Sequence, residues 1–363
     1  MAQAIPDHLH RILDLARWAP SGDNTQPWRF EVLGDEHVRV HGLDTRDHVV
    51  YDLDGHASQL AVGALLETLA IAATGERRQA RIRRIPDTPD DHLLIDVEFD
   101  PAAGGADPLI DVIEKRVVQR RPMSTRPLTQ AQRQALENAL PAGFRVRWFE
   151  PLAERWRVAR LLFDNAKIRL TIPEAFEVHR SVIEWGARFS ADRIPDQAVG
   201  VDPLTARLMR WAMADWRRIA RLNRWALGDL PPRIQLDLLP GLACAAHFTL
   251  LAPAALRTVD DYLDAGRAMQ RFWLTAASQG LYVQPEMTPV IFSRYHRERR
   301  HFTQTAAAAA KVEDLNRRLA AMLAGESVDR LFFMGRAGDG PPPRARSVRR
   351  PLEQLLVSGR SDS

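Results

Sequence analysis

The segment Ala19 to Phe30, read as APSGDNTQPWRF, concentrates residues that could hold a ligand. An apolar run with Ile12, Leu13, Leu15 and Ala16 stops at Pro20, and the chain enters a short polar loop, Ser21-Gly22-Asp23-Asn24. Gln26, Pro27 and Trp28 then lead into a strand-like stretch, Arg29 to Leu33. Proline ends a helix because it has no amide to donate, and glycine adopts backbone angles that a Cβ forbids. Gly22 is therefore expected to use that freedom. The loop offers backbone amides, the Ser21 hydroxyl and the Asn24 carboxamide at one fixed place, which suits the polar edge of a flat ligand better than a core. Gln26 and Pro27 are expected to anchor the loop, and Trp28 to be a core residue.

Three further segments follow in order. KRVVQRRPM carries Arg116, Val118, Arg120 and Arg121 ahead of Pro127-Leu128. GLYVQPEMTP runs from Gly280 to Pro289, and GRAGDGPPPRARSVRRPLEQLL places Arg346, Arg349 and Arg350 before Pro351-Leu352. Together with the first loop, this order resembles the FMN-dependent nitroreductase superfamily. Ordinary members of that family carry an Arg-x-Ser-x-Arg element before the Pro-Ser loop; here MAQAIPDHLH has none, and the similar element comes about ninety residues after the loop. The arrangement is similar to the Acg-like branch, in which one fused or internally duplicated chain contains both halves of a two-subunit site. Resemblance covers roughly the first 130 and the last 120 residues; 140 to 240 is matched least.

The resemblance implies an α+β, nitroreductase-like fold with a central mixed sheet flanked by helices and two pseudo-symmetric lobes. These are expected at 1–105 and 106–357, divided at Gly104-Gly105, with 358–363 as a tail. It also implies a cofactor site. Arginine forks grip phosphate through paired charge-assisted bonds, so Arg116 and Arg349 are assigned to the FMN phosphate. Arg120 is placed at the phosphate or at the N1–C2 carbonyl edge of the ring, where a cation favours reduction. Arg346 joins them, while Arg121 and Arg350 face outward. Pro20, Ser21 and Asn24 approach the ring edge, and Pro285 with the amides of Glu286 or Met287 lies beside N5. Val118 stands where the pattern has Ser or Thr, so one hydrogen bond to the flavin is absent. One set of basic elements implies one FMN per chain.

The family implies hydride transfer from NAD(P)H to the flavin and on to a nitroaromatic, quinone or similar small acceptor, with no catalytic protein side chain required. Two alternatives stay open: an FMN-sequestering protein without turnover, and a flavoprotein that works beside a ubiquitin-activating-like enzyme in a biosynthetic pathway. A homodimer is allowed but not needed.

Composition bounds the rest. The chain has 363 residues, 45% of them hydrophobic, a globular value. Its one cysteine, Cys244, lies in the apolar run LACAAHF and is expected to be a buried thiol. Net charge is +4, and lysine occurs only at Lys115, Lys167 and Lys311, so arginine clusters such as 77–84 reflect a chain-wide bias. Without aromatic interleaving or a known module, no nucleic-acid partner is expected. Leu238 to Leu256 is interrupted by Pro240, His247 and Pro253, so it is read as a buried helix; a cytoplasmic protein with no membrane partner is expected. His296 and His301 lack helical-face spacing and a carboxylate, and Asp52 and Asp54 are read as a turn or cap, so no metal site is assigned.

Periodicity predicts helices over 6–19, 57–74, 129–140, 153–168, 203–227, 241–251, 259–279, 305–324 and 351–357. Strands are predicted over 28–33, 37–42, 80–85, 93–99, 144–149, 281–284 and 329–334. Met209, Trp211, Met213, Trp216 and Trp225 share the long 203–227 segment, as core packing or as a lid over the flavin.

Overall fold

The computed structural model describes residues 5–225 and 228–357. The expected tail, 358–363, lies outside them. In the N-terminal part, helix α1 (Asp7–Ala16) buries Leu9, Ile12, Leu13 and Ala16, the one-face spacing of an amphipathic helix. Strands β1 (Trp28–Gly34) and β2 (His37–Leu43) form a hairpin. Helix α2 (His56–Gly75) leads to β3 (Arg78–Arg84) and β4 (His92–Pro101), completing a sheet of order β1-β2-β4-β3. Val38, Val40, Ile95, Val97 and Phe99 from this sheet share a core with α1 and α2.

The remainder begins with α3 (Gln130–Asn138), started by a capping box of Thr129 and Gln132, then β5 (Arg145–Phe149) and α4 (Leu152–Thr171). Next come α5 (Pro173–Val182) and three two-residue strands, β6 (Ile183–Glu184), β7 (Phe189–Ser190) and β8 (Ile194–Pro195). Helices α6 (Pro203–Ala212) and α7 (Trp216–Trp225) precede the short turns α8 (Leu230–Arg233) and α9 (Leu239–Leu242). Strand β9 (Ala246–Leu251), α10 (Val259–Ser278), β10 (Tyr282–Pro285) and α11 (Thr288–Arg297) follow. The last elements are α12 (Ala306–Met322), β11 (Leu331–Gly338) and β12 (Arg346–Ser347). The second sheet has the order β10-β11-β9-β5.

The α+β class matches expectation, but the main strands form two four-stranded antiparallel sheets rather than one mixed sheet. Parallel pairing needs a long crossover, and Asp35-Glu36 between β1 and β2 allows only a hairpin. The two parts are joined by α2 and α10, which touch backbone to backbone. A methyl added at Gly63 would sit 2.2 Å from the Leu263 carbonyl oxygen, and one at Gly266 would sit 2.2 Å from that of Leu60. The stretch Leu53–Gly75 is long and apolar enough to cross a membrane, yet 83% of its apolar window is buried inside the protein, as befits a core helix.

Three predicted helices are corrected. The 241–251 stretch is strand β9, all six of its residues buried between β11 and β5. A short apolar run looks the same in a buried helix and in a two-sided central strand, so periodicity could not separate them. The 203–227 helix breaks at Ala214-Asp215, where the Asp215 carboxylate accepts from the Arg217 amide and starts α7 anew; residues 226–227 lie outside the described part. The 351–357 helix is one 3₁₀ turn, Leu352–Gln354, after which the chain bridges β1 in parallel at Phe30↔Leu356.

Candidate functional site

A cavity of about 930 Å³ opens between the two parts, and all ten residues assigned from sequence line it: Pro20, Ser21, Asn24, Arg116, Arg120, Pro285, Glu286, Met287, Arg346 and Arg349. They come from four segments, brought together by the α2–α10 contact and by the C-terminal strap on β1.

The first loop is held in unusual backbone geometry, though not by Gly22. Asp23 (φ 49°), Asn24 (φ 65°) and Gln26 (φ 51°) take the left-handed angles, which corrects the expectation for the glycine. Asp and Asn tolerate this region better than most residues, and the surroundings enforce it. Gln26 Nε2 donates to the Asn24 and Ala191 carbonyls at 3.0 and 2.8 Å, the Ser21 hydroxyl accepts from the Gln26 amide at 3.0 Å, and Gln26 Oε1 accepts from the Arg350 amide at 2.9 Å. Asn24 is 5% exposed. Its Nδ2 donates to the Val348 carbonyl at 3.1 Å and its Oδ1 accepts from Arg349 Nη1 at 2.9 Å. The expected ring contact by the Asn24 side chain is thus corrected: the carboxamide is committed to clamping the loop.

Arg116, Arg346 and Arg349 gather at one end of the cavity, and Arg120 lines it beside Asp23 and Arg336. Arg116 Nη2 donates to the Trp18 carbonyl at 2.8 Å, and its guanidinium carbon lies 4.7 Å from the Trp273 ring centroid. Arg349 Nε donates to the Ala19 carbonyl at 2.9 Å, Arg346 Nη2 to that of Glu114 at 2.8 Å, and Arg120 Nη1 to that of Ala198 at 3.5 Å. Their acceptors among the described residues are neutral: backbone carbonyls and the Asn24 carboxamide. The Arg116 and Arg346 Nε atoms are buried with no acceptor among the described residues. Burial pushes the Arg116 pKa well below the usual arginine value, and the nearby Arg349 and Arg346 charges add to this. Burial, then Arg346 and Arg17, brings Arg349 down to about 9. Burial lowers Arg120 too, against the opposing carboxylate of Asp23. Asp23 faces Arg120 and Glu114 faces Arg346, but Arg116 and Arg349 have no such carboxylate among the described residues. Buried cations without counter-charge are costly, and an anion beside them would offset that cost. Orphaned donors and converging guanidinium groups fit a phosphate.

The arginine-bearing element is fixed to the ring-side loop by backbone pairing, Val118↔Val283, which needs no side-chain hydroxyl. Arg121 is exposed and donates to the Gln197 carbonyl, while Arg350 reaches Asp192 at 3.4 Å.

On the ring-side loop, Glu286 requires correction as an amide donor. Its backbone N–H already donates to the Met334 carbonyl at 2.8 Å. Its carboxylate, 6% exposed as a residue, contacts His247 Nδ1 at 2.8 Å and accepts from Arg336 Nη1 at 2.7 Å. Burial alone would lower the His247 pKa, but Glu286 and Cys244 together outweigh it and drive His247 up to about 10. Arg336 Nη2 donates onward to the Arg120 carbonyl at 2.9 Å, so the triad braces the first basic element. Met287 remains, at the N-terminal end of α11, where helix amides lack internal acceptors.

Sequence reasoning missed Arg336 and His247, although both lay in segments singled out for other residues. It also missed a polar group across the cavity: Tyr51 Oη and His179 Nε2 are 3.0 Å apart, with Asp23 lining the same space. Burial, with Arg169 nearby, brings His179 down to about 3; burial raises Tyr51 and Asp23. Met209, Met213 and Trp216 both pack with Phe176 and Ile183 and line the cavity, so packing and covering coincide there; Trp211 is exposed. The Trp225 side chain lies outside the described part. Asp52 is a cap: its carboxylate accepts from the Thr45 and Ser58 amides and hydroxyls. Cys244 is buried.

Known proteins share parts of this sequence. A model of the nitroreductase family matches residues 5–88. "Uncharacterized protein MT1398" of Mycobacterium tuberculosis is 26% identical over 351 residues, 92% of this chain and 46% of that protein. "Putative NAD(P)H nitroreductase acg" of the same organism is 33% identical over 98 residues, 26% of this chain and 29% of its own length. The chain thus spans less than half the length of these relatives. Among solved structures, the FMN-dependent nitroreductase NfnB from Mycobacterium smegmatis in complex with NADPH is 15% identical, covering 69% of this chain and 96% of that one, with a TM-score of 0.37. The family match falls on the very segment that carries the first loop, so residues 5–88 are similar to the nitroreductase family, and the 26%-identical relative extends along 92% of the chain.

Proposed function

We propose that this protein is an FMN-dependent oxidoreductase that takes hydride from NAD(P)H and passes it to a nitroaromatic, quinone or similar acceptor. The observation that carries the reading is the cluster of Arg116, Arg346 and Arg349, which has only neutral hydrogen-bond acceptors among the described residues and lines one cavity with Arg120 and the 20–24 and 285–287 loops. Bound FMN would supply a ring that accepts and releases hydride. The chain's own residues do the rest. Arg116, Arg349 and Arg346 hold the phosphate, and Arg120 faces the phosphate or the carbonyl edge of the ring. Ser21, Pro285 and the Met287 amide flank the ring. His247, Glu286 and Arg336 keep the ring-side loop and the arginine element in register. Both halves of the site come from one chain, so a homodimer would not be needed to complete it. We place the protein in the cytoplasm, acting on small molecules.

An absorption spectrum with a flavin-to-protein ratio is the direct test. A yellow protein that bleaches anaerobically with NADPH and recovers with a nitroaromatic supports the reading. A yellow protein that stays unbleached supports flavin sequestration, and a protein colourless even after soaking with FMN overturns both.

A further inference from the structure

The cavity has more wall than a flavin site requires. At about 930 Å³ it stands near the top of the roughly 300–1,000 Å³ range of small-molecule pockets. The four arginines and the two loops line one side. The other side is built by α5, α6 and α7. There the lining is largely apolar, with Phe176, Met209, Met213, Trp216, Ile219 and Leu222, and its Arg169 guanidinium is neutralised by Asp237 at 2.7 Å. Phe176 and Trp216 rings lie 5.5 Å apart, and the methionines beside them are unbranched and adapt to irregular apolar shapes.

This apolar wall has a polar end. Tyr51 Oη and His179 Nε2 are 3.0 Å apart, with ring centroids 5.8 Å apart, and both residues line the cavity. When His179 Nε2–H donates to the phenol oxygen, the Tyr51 proton is free for a ligand oxygen. A hydrogen-bond donor at one end of an apolar trough specifies an uncharged amphiphile, with an oxygen acceptor on its head and hydrocarbon behind it.

We propose that this second chamber binds the electron acceptor, and that the acceptor is a carbonyl-bearing ring with an aliphatic tail. Its carbonyl oxygen accepts from Tyr51, His179 positions that hydroxyl, and the tail lies along Met209, Trp216 and Ile219. Calling the ligand an acceptor rests on the oxidoreductase reading, whereas its binding does not.

The test is calorimetric titration of the purified protein, without NAD(P)H, using decylubiquinone and its tail-free counterpart ubiquinone-0. Buried methylene groups strengthen binding, so the tailed quinone should bind at least about tenfold more tightly. Met209→Gln and Ile219→Gln, at half-buried positions, should each cut that advantage several-fold while leaving ubiquinone-0 affinity unchanged. Tyr51→Phe should weaken both quinones by a similar factor, about three- to tenfold. Equal affinity of the two quinones in the unaltered protein overturns the proposal, and that comparison needs no variant to fold. A tail advantage that survives both glutamine substitutions overturns it too, because it would mark nonspecific adsorption. A colourless protein would end the FMN reading, yet the same titrations on the flavin-free chain would still decide this one.

Discussion

Arg349 Nη1 donates to Asn24 Oδ1 at 2.9 Å across 325 positions of sequence, and the same Asn24 donates to the neighbouring Val348 carbonyl. The C-terminal basic segment and the first loop therefore hold each other, with the arginine facing the cavity and the asparagine locked behind it. This pairing explains why two segments at opposite ends of the chain act as one surface.

Arg116→Ala and Arg349→Ala should each weaken FMN binding about tenfold or more, since a charge-assisted hydrogen bond contributes about 1.5–3 kcal/mol. Circular dichroism should show the fold retained in both. Asn24→Ala should lower thermal stability as well as occupancy, because buried carbonyls lose their donor. Flavin occupancy measured by absorbance, undiminished in both arginine variants, would remove the phosphate assignment.

Gly266→Ala should destabilise the protein although alanine is the better helix former. The intrinsic gain is about 1 kcal/mol, but the new methyl would meet the Leu60 carbonyl oxygen at 2.2 Å. Overpacking costs about 1–3 kcal/mol and here meets rigid backbone. The matching change at Gly22, where a Cβ meets nothing within 4 Å, should leave stability within about 0.5 kcal/mol. Thermal midpoints of the two variants settle the contrast.

The His247–Glu286 pair makes stability depend on alkaline pH. His247 rises from 6.5 unfolded to about 10 folded, because Glu286 and Cys244 together outweigh burial. The folded state then holds a proton that the unfolded state has released, so stability falls as pH climbs from near neutral toward 10. Glu286 acts at the other end: burial would raise it, but His247 and Arg336 keep it below the usual carboxylate value. Its contribution fades only in acid. Urea midpoints measured from about pH 6 to about pH 10 should decline in the parent and flatten in His247→Gln.

Asp52→Ala should cost about 1–3 kcal/mol, because its carboxylate satisfies the Thr45 and Ser58 amides at 2.9 and 3.1 Å in addition to their hydroxyls. With those oxygens committed, added Ca²⁺ or Mg²⁺ should leave the thermal midpoint of the parent unshifted. A metal-dependent rise would return Asp52 to the ligand candidates.

Local pattern was a good guide wherever one neighbour decides. Thr129 with Gln132 starts α3, and the alternation of β1, β2 and β4 placed those strands, whereas α1 stops at Ala16, four residues short of the Pro20 breaker. The segments that line the cavity were also legible, since Ser21, Arg116, Met287 and Arg349 lie in short stretches with their own residue pattern. What those side chains do was less so. Asn24 and Glu286 were assigned to the ligand and are occupied by protein groups, because their partners Arg349, Val348, His247 and Arg336 lie elsewhere in the chain.

The sequence alone determined the α+β character, the loop, the arginine-bearing elements and their family resemblance, all properties of residues close together along the chain. Tertiary structure alone decided that 246–251 is a central strand, that Gly63 and Gly266 join the two parts, and that Tyr51 meets His179 across a cavity. The reason is physical: an apolar hexamer satisfies its backbone equally well in a helix or between two strands. Only the neighbours supplied by β5 and β11 select the strand, and they come from about a hundred residues before it and eighty after.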